Sequence, residues 1–230
     1  MSTAEVLASV DIVALRLNEQ AELELLLIRR AQAPFEQQWA LPGVLVNGRC
    51  QDLSLEAAAC RALASKARVE PRYLEQVATV GNGTRDPRGW SISTFYLALL
   101  QPDTVLQGED LCFVALSAVL DGSLGLPFDH GQLVAQAFER LGGKSVYTSL
   151  PLYLLAPRFT VTEALGAFQA CLGQAVQHTT LRGRLERMKQ QGWIAETGEK
   201  NYPRMGRPQN LLEHQARSDA AFIFDRSVLS

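Results

Sequence analysis

Between residues 178 and 207 the chain carries seven Lys and Arg against three Asp and Glu, a local balance of +4. Cations at that density suit a polyanion such as a nucleic-acid backbone. Their placement says more than their number. Leu181, Leu185 and Met188 fall at i, i+4 and i+7, so one helix would bury them as a stripe. At about 100° per residue, Thr179, Gly183, Glu186, Arg187 and Gln190 lie on the opposite face, and Arg182 and Arg184 flank the stripe. The expected chemistry divides accordingly. Thr179, Thr180, Arg187 and Gln190 approach base edges, while Arg182 and Arg184 clamp phosphates. His178, near the helix start, caps it or touches phosphate. Gly183 costs helix propensity, which either permits close approach to a groove or is simply tolerated. Lys200, Arg204 and Arg207 follow, with Tyr202 and Pro208. The plainer alternative for all of them is a solvated basic face.

Such a helix needs a frame. Thr160-Val161-Thr162-Glu163 is a capping-box pattern, so a helix is expected over 161–172, stopping at Gly173. A short turn leads to the second helix, over about 179–191, ended by Gly192. Residues 193–197, a Gly/Pro/basic loop and a strand near Leu211 would complete a wing. Helix, turn, helix, hairpin is the order of a winged helix-turn-helix. Residues 221–224 could add a strand or pack on a partner subunit.

The front of the chain has a different character. Residues 1–145 hold 12 Lys and Arg against 17 Asp and Glu, whereas residues 146–230 hold 10 against 7. An acidic front and a basic rear fit two domains, divided here as 1–145 and 146–230, with an anionic partner at the rear. Strands are expected over 6–17, 23–28, 76–80 and 91–100, with a turn over 18–22 and a polar loop over 81–89. Helices are expected over 53–68, with Ala57, Leu63 and Ala67 inward, and over 129–141, capped by Asp129 and closed by Gly142-Gly143. The four cysteines (Cys50, Cys60, Cys112 and Cys171) show no paired spacing. With three scattered histidines they suggest neither a zinc site nor a disulfide framework. Glu5, Asp11 and Arg16 interrupt the first apolar stretch, so it does not read as a signal peptide. No apolar run has membrane-spanning length. A cytoplasmic location without membrane contact is expected.

Trp39-Ala40-Leu41-Pro42-Gly43, followed by a helix from Leu55, resembles the opening of a Nudix box. That signature continues Arg-Glu-x-x-Glu-Glu-x-Gly, but here the stretch is Arg61-Ala62-Leu63-Ala64-Ser65-Lys66-Ala67-Arg68. In Nudix hydrolases the glutamates hold divalent cations against a diphosphate and activate water. Ala62 and Ser65 offer no carboxylate. Lys66 would repel a metal, at about 4 kcal/mol per unit-charge pair for a separation of ~4 Å and an effective dielectric of ~20. Asp52 and Glu56 remain nearby, and three extra residues within 47–51 alter the spacing of the box. No catalytic residues and no metal are therefore expected. Lys66 itself admits two readings: an ammonium replacing the metal at a diphosphate, or a solvated surface lysine.

The resemblance extends through Arg29-Arg30-Ala31, Asp86-Pro87-Arg88-Gly89-Trp90-Ser91-Ile92-Ser93, Pro127-Phe128-Asp129-His130 and Tyr147-Thr148-Ser149-Leu150 to Phe159-Thr160-Val161-Thr162-Glu163. From about residue 6 to 210 the chain resembles the Nudix-related transcriptional regulators of NAD metabolism. The resemblance implies an α/β fold, a Nudix-like α/β/α sandwich with a mixed sheet, followed by the winged helix-turn-helix. It implies a homodimer on palindromic double-stranded operator DNA, and repression of NAD biosynthesis and salvage genes. ADP-ribose or a related NAD metabolite would be the effector, with no required cofactor. Cationic candidates for its diphosphate are Arg29, Arg30, Arg61, Lys66, Arg85 and Arg88, since arginine binds phosphate bidentately. Trp39 and Phe95 could stack on the base, although core packing also suits Phe95. One departure is that Val44 stands where the second glycine of the box would be. Two competing readings are a divergent ADP-ribose hydrolase using Asp52 or Glu56 with Mg²⁺, and a DNA-binding protein whose front domain only dimerises.

Overall fold

β1 (Leu7–Leu17) and β6 (Ser91–Leu99) are rich in apolar and β-branched residues, and both strands are buried along most of their length, Asp11, Ser91, Ser93 and Thr94 included. Strands of that type belong inside a sheet covered on both faces. They pair in parallel from Leu7↔Ser91 to Leu15↔Leu99. The structure is a computed structural model that describes residues 5–49, 52–202, 207–215 and 223. The chain divides into two units. One comprises Met1–Arg16, Leu23–Leu100 and Thr104–Arg140; the other comprises Leu17–Glu22, Gln101–Asp103 and Leu141–Ser230.

Among the described residues, the sheet of the first unit has seven strands. Its main path runs β3 (Trp39–Ala40), β2 (Leu23–Arg29), β1, β6 and β5 (Tyr73–Asn82). β4 (Gly43–Leu45) joins β1, and β7 (Leu111–Ala115) joins β2. β5 is longer than expected and carries a bulge between Gln76 and Ala78. β3, β4, β7 and the short helix α2 (Leu116–Leu120) went unforeseen, being too short for a periodic signal. Ser54 caps helix α1 (Leu55–Lys66) by accepting from the Ala57 amide. The helix buries Ala58, Ala59, Ala62, Leu63 and the following Ala67 against Val10, Ile12, Ala14, Tyr96 and Ala98. Ala57 is only half-buried, because the inward face centres on 58–59 and 62–63.

Helix α3 (His130–Ser145) passes straight through Gly142-Gly143, where a helix end was expected. The reason is packing. A Cβ on Gly142 would sit 3.3 Å from the Cys171 carbonyl oxygen, so glycine there serves a close backbone approach. Asp129 begins the helix through its carbonyl, which accepts from the Gln132 and Leu133 amides. Its carboxylate is turned elsewhere, to Arg85.

In the second unit, the apolar segment Leu150–Leu154 forms a 3-10 helix. β8 (Arg158–Phe159) leads into α4 (Val161–Leu172), where the Thr160/Glu163 capping box is complete in both directions and Gly173 ends the helix at φ 64°. Then come α5 (His178–Gln190), β9 (Ile194–Asn201) and β10 (Gln209–His214). The strands form an antiparallel sheet in the order β8, β10, β9. Phe159, Phe168, Leu181, Leu185, Met188, Ile194 and Leu212 are buried. This is a winged helix-turn-helix. Of residues 221–224, only Ile223 lies within the described residues, and it bridges Thr148. Among the described residues, no helix is long and apolar enough to cross a membrane.

Candidate functional site

A cavity of about 720 Å³ opens within the first unit, and its walls follow from the sheet register. β1 contributes Ser9 and Asp11, the end of β2 contributes Arg29 and Arg30, and α1 contributes Arg61, Ser65 and Lys66. Arg68, Arg85, Asp86, Arg88, Phe128 and His130 close it. Gly43 pairs with Asp11 across β4 and β1, and a Cβ there would lie 2.2 Å from Asp11 Oδ1. The glycine of Trp39-Ala40-Leu41-Pro42-Gly43 thus gives a buried carboxylate its room.

About half of the cleft's charges are already paired. Arg61 donates from Nε and Nη2 to Asp52 at 2.7 Å each, and the Asn47 amide donates to Asp52 Oδ2 at 2.6 Å. Those bonds hold the Asp52 carboxyl below the usual range. Arg85, buried, donates to both Asp129 oxygens at 2.8 Å, and its Nη2 lies 3.6 Å from Asp11. Burial works against the Arg85 charge, but Asp129, then Asp11 and Asp86, outweigh it and raise its pKa. Arg88 binds its neighbour Asp86 at 2.7 Å. Arg30 donates to the Pro34 carbonyl at 2.7 Å and lies 4.9 Å from the Phe128 ring centroid.

Asp11 accepts from Ser93 Oγ at 2.6 Å and faces His130 Nε2 at 3.8 Å. His130 Nδ1 accepts from the Leu41 amide at 3.1 Å, which fixes a neutral ring with its proton on Nε2. Burial is the main cause of its lowered pKa.

All six cations expected to meet the effector line this cavity. The two aromatics do not. Phe95 is fully buried within β6, and Trp39 is half-buried in β3. The aromatic lining the cleft is Phe128, in edge contact with Phe35 and stacked near His130. It belongs to Pro127-Phe128-Asp129-His130, a string whose chemistry only the folded cleft reveals. Arg68 was likewise missed. It occupies the place of the box glycine and has a left-handed backbone, at φ 55°, a conformation glycine adopts freely. Glu56 is exposed and lies off the cavity.

On α5 the apolar stripe is Leu181, Leu185 and Met188 as expected, and Arg184 joins it. Arg184 donates to the carbonyls of Val146 at 2.7 Å and Ser145 at 3.4 Å, with Phe168 beneath. It is therefore a buried strut and no phosphate clamp. Burial, then nearby Arg187, lowers its pKa. His178, Thr179, Arg182, Gly183 and Gln190 are exposed, and Thr180 and Arg187 are half-buried. The N-cap residue is Gln177, so His178 is inside the helix and does not cap it. Lys200 on β9 and Arg207 are exposed; Arg204 lies outside the described residues.

A Nudix-type α/β/α sandwich joined to a winged helix-turn-helix defines the class of protein. No family model matches the chain. It is similar to the ADPR-responsive transcriptional repressor NtrR of Acinetobacter baylyi, 37% identical over 214 residues that span 91% of this chain and 82% of that protein. It is similar in structure to Shewanella oneidensis NrtR complexed with a 27mer DNA, at TM-score 0.82, 36% identity and coverage of 94% and 97% of the two chains. The Nudix domain of that NrtR complexed with ADP ribose matches at TM-score 0.55 and 40% identity, over 60% of this chain and 90% of that one. This chain belongs to the family of NrtR-type, Nudix-related transcriptional regulators.

Proposed function

We propose that the protein represses genes of NAD biosynthesis and salvage, binding operator DNA through α5 and the wing. An ADP-ribose-like NAD metabolite would enter the cleft and release the DNA. Residues 1–145 would serve sensing and dimerisation, and residues 146–230 DNA binding. The observation that carries this reading is the family itself: its relatives include an ADPR-responsive repressor, a protein solved on DNA, and the Nudix domain of that protein solved with ADP ribose. The exposed Thr179, Arg182 and Gln190 of α5 supply groups suited to phosphates and base edges.

Hydrolysis is not part of the proposal. Ala62 is fully buried, Ser65 and Lys66 line the cleft without a carboxylate, and Asp52 is bound bidentately by Arg61. A homodimer on a palindrome, working in the cytoplasm, fits the symmetry of helix-turn-helix operators. The effector can act only through different affinities for DNA-competent and DNA-incompetent states.

The test is a gel shift with the chain's own upstream DNA. A shifted band that ADP-ribose dissolves is expected. A chain that ignores this DNA, or holds it equally with and without ADP-ribose and related nucleotides, overturns the proposal. Incubation with ADP-ribose and Mg²⁺ should give no turnover. Sedimentation should give a dimer.

A further inference from the structure

A Nudix-type cleft implies a divalent cation, and the residues of this one do not fit it. Where the box supplies carboxylates, the chain has buried Ala62, the hydroxyl of Ser65 and the ammonium of Lys66. Asp52 is consumed by Arg61, Asp86 by Arg88, and Asp11 by Ser93 with Arg85 beside it, which leaves Asp110 as a single cavity carboxylate outside any ion pair among the described residues. Among the described residues, no three His, Cys, Asp or Glu side chains converge to hold an ion.

Sorting the cations of the cavity by partner separates two groups. Arg30, Arg61, Arg85 and Arg88 each have a carbonyl or carboxylate within the chain. Arg29, Lys66 and Arg68 line the same cavity, are exposed, and have no ion pair among the described residues. Arg29 ends β2, Lys66 is the last residue of α1, and Arg68 follows in the left-handed conformation where the box has glycine. Even set against the carboxylate of Asp110 in the same lining, three such cations leave an excess of two positive charges at the cleft wall, which attracts a dianion. The cavity volume suits a nucleotide.

We infer that Arg29, Lys66 and Arg68 hold the diphosphate of the effector directly, and that binding requires no divalent metal. The inference rests on the effector reading above and adds the way the phosphates are held. The cations replace the metal's charge, and they can make charge-assisted hydrogen bonds to the phosphate oxygens. Losing one such contact corresponds to roughly tenfold in affinity.

The test is calorimetric titration of the full chain with ADP-ribose, in EDTA and in Mg²⁺. The wild type should bind equally in both, within about twofold. Lys66→Ala and Arg68→Gly should each weaken binding by roughly tenfold. Arg68→Gly suits its own backbone angle, so its melting temperature should not fall below the wild type, and lost affinity is then not misfolding. Ser65→Glu combined with Lys66→Glu should make any remaining binding depend on Mg²⁺. Wild-type binding abolished by EDTA, or folded Lys66 and Arg68 variants that bind as the wild type does, overturns the inference and leaves the effector reading standing. A wild type that binds no ADP-ribose in either buffer overturns both.

Discussion

Gly43 and His130 show how single residues set this cleft. The carboxylate of Asp11 occupies the space that a side chain at position 43 would need. Gly43→Ala should therefore cost about 1–3 kcal/mol, the usual range for overpacking, and should weaken ADP-ribose binding by displacing Asp11 from Arg85 and Ser93. Urea unfolding checks the first effect and titration the second; an unchanged midpoint would refute the close contact. His130 is neutral in the fold, and burial lowers its pKa against the pull of Asp11 and Asp129. The unfolded chain takes up that proton near pH 6.5, while the native state resists it. Stability should then be fully present above about pH 6.5 and fall as pH drops below it, by at most about 1.4 kcal/mol per pH unit from this group. His130→Asn should flatten the loss between pH 6.5 and 5. Parallel slopes for the variant and the wild type would assign the titration elsewhere.

Helix α5 carries two arginines two residues apart with opposite fates. Arg182 is exposed, whereas Arg184 is buried against Phe168 and the Ser145 and Val146 carbonyls. Arg184→Ala should destabilise the protein by about 1–3 kcal/mol, since it leaves buried carbonyls without their donor. Arg182→Ala should leave the melting curve in place and weaken DNA binding. If the two variants melted alike, the strut would not exist. Gly183 sits between them in an exposed helix interior, and a Cβ there would meet nothing within 4 Å. No internal packing requires it. Gly183→Ala should stabilise the helix by up to about 1 kcal/mol, and should nonetheless lower operator affinity if the helix backbone lies close against DNA. A variant both more stable and equally tight on DNA would show the glycine is merely tolerated.

For the whole molecule the distinguishing behaviour is electrostatic. The chain is mildly acidic overall, with a formal charge of −2, so DNA affinity must come from a local face. Affinity for the operator fragment should fall steeply with salt, linearly in logarithms; Arg182→Ala should shallow that slope by about one unit, whereas Arg187→Ala should lower the preference for the operator over unrelated DNA. An unchanged slope for the first variant and unchanged preference for the second would place the DNA elsewhere on the molecule. ADP-ribose should lower the affinity without altering the slope of the fraction still bound.

Features under the control of local rules were legible in the order of the amino acids. Helix periodicity and the Thr160/Glu163 capping box placed α4 and α5, and stretches rich in apolar and β-branched residues placed β1 and β6. The string from Arg61 to Arg68 announced the missing carboxylates before any fold was known. Which charges are paired and which are left for a ligand emerged with the fold. Arg85 meets Asp129, 44 residues away, and Arg184 meets Val146, 38 residues away, so no local pattern could reveal either pairing. The same holds for Gly142, which reads as a helix stop until the Cys171 carbonyl is seen against it, and for Phe128, which reaches the cleft while Phe95 fills the core. Periodicity and capping act within a turn or two of the chain, whereas burial and ion pairing act between segments that only folding brings together.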